Sequence, residues 1–148
     1  MLKVNPKINA IILVLLTLIV GSLASTNTGS DTWYLNLVKS NLNPPGYVFG
    51  IVWPILYLLM GITIWRTYNV IKNLFYVQLF LNAIWSWLFF SFHLPLIALL
   101  DIWLLIIINL KILLLILKDD RLAAFLFVPY ITWLFFASYL NLFIVINN

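Results

Sequence analysis

Three stretches of this chain place aromatic rings and amides on single helical faces. In residues 44–65, Trp53, Tyr57, Met60 and Ile64 recur at spacings of four, three and four, the period that stacks side chains along one side of a helix. In 74–92, Gln78, Asn82, Trp85 and Phe89 repeat that spacing. In 122–146, Tyr130, Trp133, Ala137, Leu140 and Asn141 share a broad face, and small Ala137 leaves room beside Trp133. Such rings can stack on a flat apolar molecule, while the amides bond either its polar edge or a neighbouring helix. One aromatic stripe is ordinarily plain packing. Three helices each bringing one, with polar atoms among them, point to a pocket.

The amides and the single intraspan acid divide between structure and ligand. Gln78 is expected to bond between helices, and Asn82, which shares its face with two aromatics, suits either role. Asp101 lies six residues after Pro95, roughly 9 Å down a helix. A carboxyl at that depth must face inward, paired or protonated. Pairing with Ser86 or with the indole N–H of Trp85 or Trp87 is the expectation.

Other chemistries are absent. With no cysteine and the lone His93 at the edge of a span, disulfides, thiolate catalysis and metal sites built on Cys or His have no ligands. No Ser/His/Asp set, paired carboxylates or phosphate-binding glycine loop is present. No metal and no obligatory cofactor is expected. One buried acid and no inverted repeat give little support to energy-coupled transport.

The elements that must position these residues are membrane spans. The 148 residues are 65% hydrophobic and 8% charged, with mean hydropathy +1.11, too little charge to cover a soluble surface. Apolar runs cover about 8–24, 44–65, 74–92, 95–117 and 122–146, each long enough to cross a bilayer. The short connections between the last three require antiparallel neighbours. The expected fold is all-α, a five-helix transmembrane bundle in one domain spanning 1–148, with a long loop, 26–43, between helices 1 and 2. A competing reading of the first run is a cleaved signal peptide, with Lys3 and Lys7 before it and Ser22-Leu23-Ala24 as the small-residue site; four spans would then remain.

Helix 2 is expected to start at a cap on Asn43 with Pro44 in its first turn, and to kink at Pro54. Gly46 and Gly50 form a small-xxx-small pair that would let another helix approach. Lys3, Lys7, Arg66, Lys72, Lys118 and Arg121 fall on one side of the five spans and Lys39 alone on the other. In a cytoplasmic-type membrane this puts the N-terminus inside and the C-terminus outside. The basic residues stand singly at the ends of apolar runs, so the net charge of +4 marks topology and not nucleic-acid binding.

These residues resemble the translocator protein family, also called tryptophan-rich sensory proteins or peripheral-type benzodiazepine receptors. The resemblance covers about 33–141: Trp33-Tyr34 and then Lys39, Pro44-Pro45, "VFGIVWPILYLLMG", "QLFLNAIWSWLFF", "ALLD" and "PYITWLFFASYLN". It implies five helices, against the signal-peptide reading. It further implies a cavity open toward the long loop that binds porphyrins such as protoporphyrin IX, sterols or synthetic benzodiazepine-site ligands. By position the ligand-binding residues would be Tyr34, Trp53, Tyr57, Asn82, Trp85, Phe89, Trp133, Ala137 and Leu140. The lid would comprise Trp33, Tyr34, Lys39, Pro44 and Pro45, with Lys39 near a propionate. Trp53 and Trp133 match tryptophans with which bacterial relatives degrade protoporphyrin, so they would be catalytic if that reaction occurs. The implied roles are tetrapyrrole sensing or transport, or light- and oxygen-dependent porphyrin breakdown; a homodimer is left open. A third reading is a purely structural membrane subunit. Two departures stand out. Lys39-Ser40-Asn41 replaces the usual Lys-Pro-Ser, which predicts a looser lid. Leu142 and Ile146 replace the Tyr and Arg of the sterol motif in animal members, so that motif is not carried over.

Overall fold

A computed structural model describes residues 5–148 as α1 (Pro6–Ala24), α2 (Thr32–Asn36), α3 (Gly46–Ser86), α4 (Pro95–Asp119) and α5 (Arg121–Asn147). Lys3 lies outside the described residues. Among the described residues, α1, α3 with its continuation to Ser91, α4 and α5 are long and apolar enough to cross a membrane.

The longest of these is not straight. Tyr57 donates a hydrogen bond to Asn82, and Gln78 Nε2 donates to Met60 Sδ at 3.7 Å. A straight helix would hold residues 57 and 82 about 37 Å apart, so α3 must double back on itself. The reversal lies at Thr67, whose φ of −116° and ψ of 18° are the only non-helical values within α3. Thr67 Oγ1 donates to Thr63 O (2.8 Å) and Thr63 Oγ1 to Leu59 O (2.9 Å), back-bonding that bends helices. The expected connection at 66–73 is therefore helical apart from that one residue. Backbone angles stay helical through Pro54, so the break falls at a threonine and not at the proline.

The start of α3 also departs from expectation. Pro45, without a side-chain bond, occupies the N-cap, and the Asn43 amide instead donates to Pro44 O at 3.3 Å. Two consecutive prolines hold the backbone extended until Gly46. The 26–43 segment is likewise not a plain loop. It contains successive turns and then α2, capped by Asp31, which accepts from Trp33 N at 3.0 Å.

The two limbs of α3 pack with α4 and α5, and α1 lies against α3. Phe75, Phe127, Tyr130, Met60 and Ile102 are almost fully buried between them, while Phe125, Leu58 and Phe80 point outward. Lipid tails are as apolar as these side chains, so shape fit and interhelical hydrogen bonds must hold such a bundle together. At one end Arg66 Nε meets Asp120 Oδ2 at 2.7 Å, and Asp120 also caps α5 through Ala123 N. The Arg66 hydrogen bond, followed by that backbone bond, holds the Asp120 carboxyl below its usual range. The tie is therefore in place above the ordinary carboxylate range and is lost as pH falls through the lowered pKa.

A candidate ligand cavity

A cavity of about 970 Å³ opens among α1, the α2 segment, both limbs of α3 and α5, within the size range of small-molecule sites. Tyr34, Trp53, Tyr57, Asn82, Trp85, Trp133 and Ala137 line it, as do Lys39, Pro44 and Pro45 at its mouth. The Trp53 and Trp133 rings meet edge to face at 6.4 Å, forming a corner of apolar wall. Burial raises the pKa of the Tyr34 phenol, so its hydroxyl stays protonated at neutral pH.

Two residues expected here lie elsewhere. Phe89 is buried in a separate cluster with Ala98 and Ile144, and Phe90 lines the cavity instead. The cause is a π-helical turn at Trp87–Ser91, in which Phe92 N bonds Trp87 O at 2.9 Å. Its extra residue per turn rotates the subsequent side chains off the α-helical stripe, and no local sequence pattern announces it. Leu140 is also buried outside the lining. One residue on, Asn141 accepts from Trp85 Nε1 (3.2 Å) and donates to Pro95 O (2.8 Å), tying α5 to α3 and α4 at that level. Trp33, expected in the lid, stacks on His93 at 4.2 Å and does not line the cavity. His93 in turn contacts Asp31 Oδ2 at 2.8 Å, so it is more than an interfacial residue.

Gly46 and Gly50 do not receive a helix from this chain. A Cβ added to either would meet nothing within 4 Å, and both line the cavity together with Phe49 and Pro54. With Trp53 and Tyr57 they continue one stripe at spacings of four, three and four. The glycines extend the cavity, a role that sequence spacing alone cannot distinguish from helix packing.

Behind the wall runs a chain of buried polar groups. Tyr57 donates to Asn82 Oδ1. Asn82 Nδ2 donates to Tyr130 Oη at 2.8 Å, and Tyr130 donates to Gln78 Oε1 at 2.8 Å. Gln78 thus bonds between helices as expected. Asn82 does so too, while one side of it faces the cavity. The chain fastens both limbs of α3 to α5.

Asp101 does not pair as expected. Its Oδ2 is buried without a partner, while the Trp85 and Trp87 indoles bond Asn141 and Val20 O. Those partners lie nearer on the folded helices, which adjacency in depth could not reveal. Asn keeps hydrogen-bonding capacity at position 101 and cannot take on a charge that would have no bonded counterpart. Asp101→Asn is expected to leave the unfolding temperature in detergent unchanged or raised; a clear fall would mean that an ionised partner is at work.

The segment between α2 and α3 is tied down at several points. Ser40 Oγ and Tyr139 Oη share a 2.9 Å hydrogen bond, and Asn148 bonds both the N–H (2.8 Å) and the C=O (3.1 Å) of Val38. Ser40, where the looser lid was expected, provides one of these ties.

Comparison with known proteins finds that residues 10–146 match the TspO/MBR family. The chain is 40% identical over 137 residues to the tryptophan-rich protein TspO of Chlorobaculum tepidum, covering 85% of this chain and 87% of that protein. It is 36% identical to the tryptophan-rich protein TspO of Archaeoglobus fulgidus, over 80% and 81% of the two chains. It is 32% identical to the tryptophan-rich sensory protein of Cereibacter sphaeroides, over 85% of each.

Proposed function

We propose, from the premise that this chain belongs to the TspO/MBR family of membrane proteins, that its cavity binds a metal-free porphyrin, protoporphyrin IX, for sensing or transport of tetrapyrroles. The observation that carries this is the cavity of about 970 Å³ walled by Trp53, Trp85 and Trp133. Flat apolar walls suit a flat aromatic ligand, and each stacking contact adds roughly 0.5–1.5 kcal/mol beyond burial. The residues from Ser25 to Pro45 act as the lid. Sterols and benzodiazepine-site ligands are further candidates for the same walls.

Haem fits this cavity less well. An iron porphyrin in a bundle takes an axial His, Cys, Met or Tyr, and among the described residues the cavity lining has neither His, Cys nor Met. Met60 is fully buried and engaged by Gln78, the Tyr57 hydroxyl is committed to Asn82, and burial disfavours the phenolate that Tyr34 would need to bind iron. Protoporphyrin IX is therefore expected to bind more tightly than haem in tryptophan-quenching titrations. Tighter binding of haem would sink the unligated pocket.

A second reading, light- and oxygen-dependent degradation of bound porphyrin, is favoured by the edge-to-face contact of Trp53 and Trp133 at 6.4 Å. Illuminating the bound pigment and following its absorbance tests it. Trp53→Phe and Trp133→Phe keep a stacking ring but lose the oxidisable indole. They should slow bleaching more than they weaken binding, and unchanged bleaching in both would exclude the tryptophans.

In the membrane the two limbs of α3 count as separate crossings, making five with α1, α4 and α5. The distribution of basic residues then supports an N-terminus in the cytoplasm and a C-terminus across the membrane. A reporter active only in the cytoplasm should be silent when fused after Asn148; an active fusion would overturn the orientation.

A further inference from the structure

Among the described residues, Lys39 is the one charged residue lining the cavity. Its ammonium donates to the carbonyls of Tyr34 and Leu37 and lies 4.5 Å over the Tyr34 ring. Among the described residues no carboxylate pairs with it. An ammonium carries three N–H donors, and the two carbonyls leave one over. The flanking residues are both held by α5 and its C-cap: Val38 by the side chain of the cap residue Asn148, which grips its N–H and its C=O, and Ser40 by the Tyr139 hydroxyl. Lys39 is thus bracketed on both sides by α5 and its cap. Neither Tyr139 nor Asn148 touches the cavity, and neither was marked by its sequence context.

We propose that Tyr139 and Asn148 are positioning residues that fix Lys39 as the anion-reading group of the cavity mouth. The site thereby favours flat amphiphiles bearing an acid group over the same molecules with that group neutralised. A cation on a free loop would lose most of its ion-pair energy to side-chain and backbone entropy, whereas one held in place keeps more of it. Partial burial also lowers the Lys39 pKa, a cost to the cation that a neighbouring anion offsets. The inference rests on the porphyrin reading above and adds to it the group that recognises the ligand's acid edge.

The test compares protoporphyrin IX with its dimethyl ester, which has the same ring and no carboxylate. Both are titrated by tryptophan quenching on the full chain in detergent. Wild type should prefer the acid by about fivefold, near the upper end for a partly exposed ion pair, and added salt should erode that preference. Lys39→Met should lower the affinity for the acid more than that for the ester and close the gap between them. Tyr139→Phe combined with Asn148→Ala keeps Lys39 but should lower the acid preference and speed release of the acid. Ester binding in each variant reports that the cavity is intact; should the double variant lose it, Tyr139→Phe alone, which removes only one hydroxyl, takes its place. Equal affinity of wild type for acid and ester would overturn the proposal, as would an undiminished acid preference in the bracket variants. If neither pigment binds wild type, the porphyrin reading itself fails.

Discussion

Replacing Tyr130 with Phe should cost this protein more stability than any other single hydroxyl deletion in its polar chain. The Tyr130 hydroxyl accepts from Asn82 and donates to Gln78, and all three residues are buried. Removing it strands an amide N–H and an amide carbonyl. Hydrogen bonds between membrane helices average about 0.6 kcal/mol and reach about 1.7, so two of them give a loss of roughly 1–3 kcal/mol, or a fall of roughly 5 °C in unfolding temperature. Tyr57→Phe removes one bond only, and the freed Asn82 carbonyl borders the cavity, where water or ligand can reach it. Its loss should be half as large or less. Thermal unfolding of the two variants in detergent makes the comparison, and equal losses would mean that the polar chain does not fasten the limbs of α3 to α5. Tyr130 does not line the cavity, so ligand affinity at low temperature should persist in Tyr130→Phe.

Gly50→Leu should act in the opposite way, leaving stability intact and removing ligand binding. A Cβ at Gly50 meets nothing within 4 Å, so the substitution brings no backbone clash. Leucine is also favoured over glycine inside a helix by roughly 0.5–1 kcal/mol, which holds or raises the unfolding temperature. The stripe Gly46, Gly50, Trp53, Tyr57 directs the new side chain into the space between the tryptophan walls. A flat ligand displaced from part of that wall loses at least one stacking contact, and affinity should fall about tenfold or more. Porphyrin titration alongside thermal unfolding separates the two effects. Unchanged affinity in a stable Gly50→Leu protein would show that the ligand does not occupy this cavity.

Much of this architecture can be read directly from the chain. Apolar run length identifies the helices, because a segment crossing lipid must satisfy its backbone internally and be apolar for about twenty residues. Helical spacing puts Trp53, Tyr57, Asn82, Trp85, Trp133 and Ala137 on inward faces, because the α-helical period is a local property. These residues do meet around one cavity. Residue types alone also mark Gln78 and Asn82 as groups that must find partners away from lipid.

What the local pattern does not carry is anything decided by contact between distant segments. The π-helical turn after Ser86 exchanges Phe89 for Phe90 at the cavity, since one extra residue per turn depends on how that helix end packs. The partners of Trp85 and Trp87, and the lack of one for Asp101 Oδ2, were set by which helices lie alongside, not by depth in the membrane. Gly46 and Gly50 face empty space where their spacing equally suits a helix contact. The bracket on Lys39 joins residues more than ninety positions apart, and a hydrogen bond across that separation leaves no periodic trace. Sequence determined the helices and the faces they turn inward, because period and hydropathy are fixed residue by residue. The tertiary structure alone decided which side chains meet, because that depends on helix rotation and on the few residues at which a helix departs from its ideal turn.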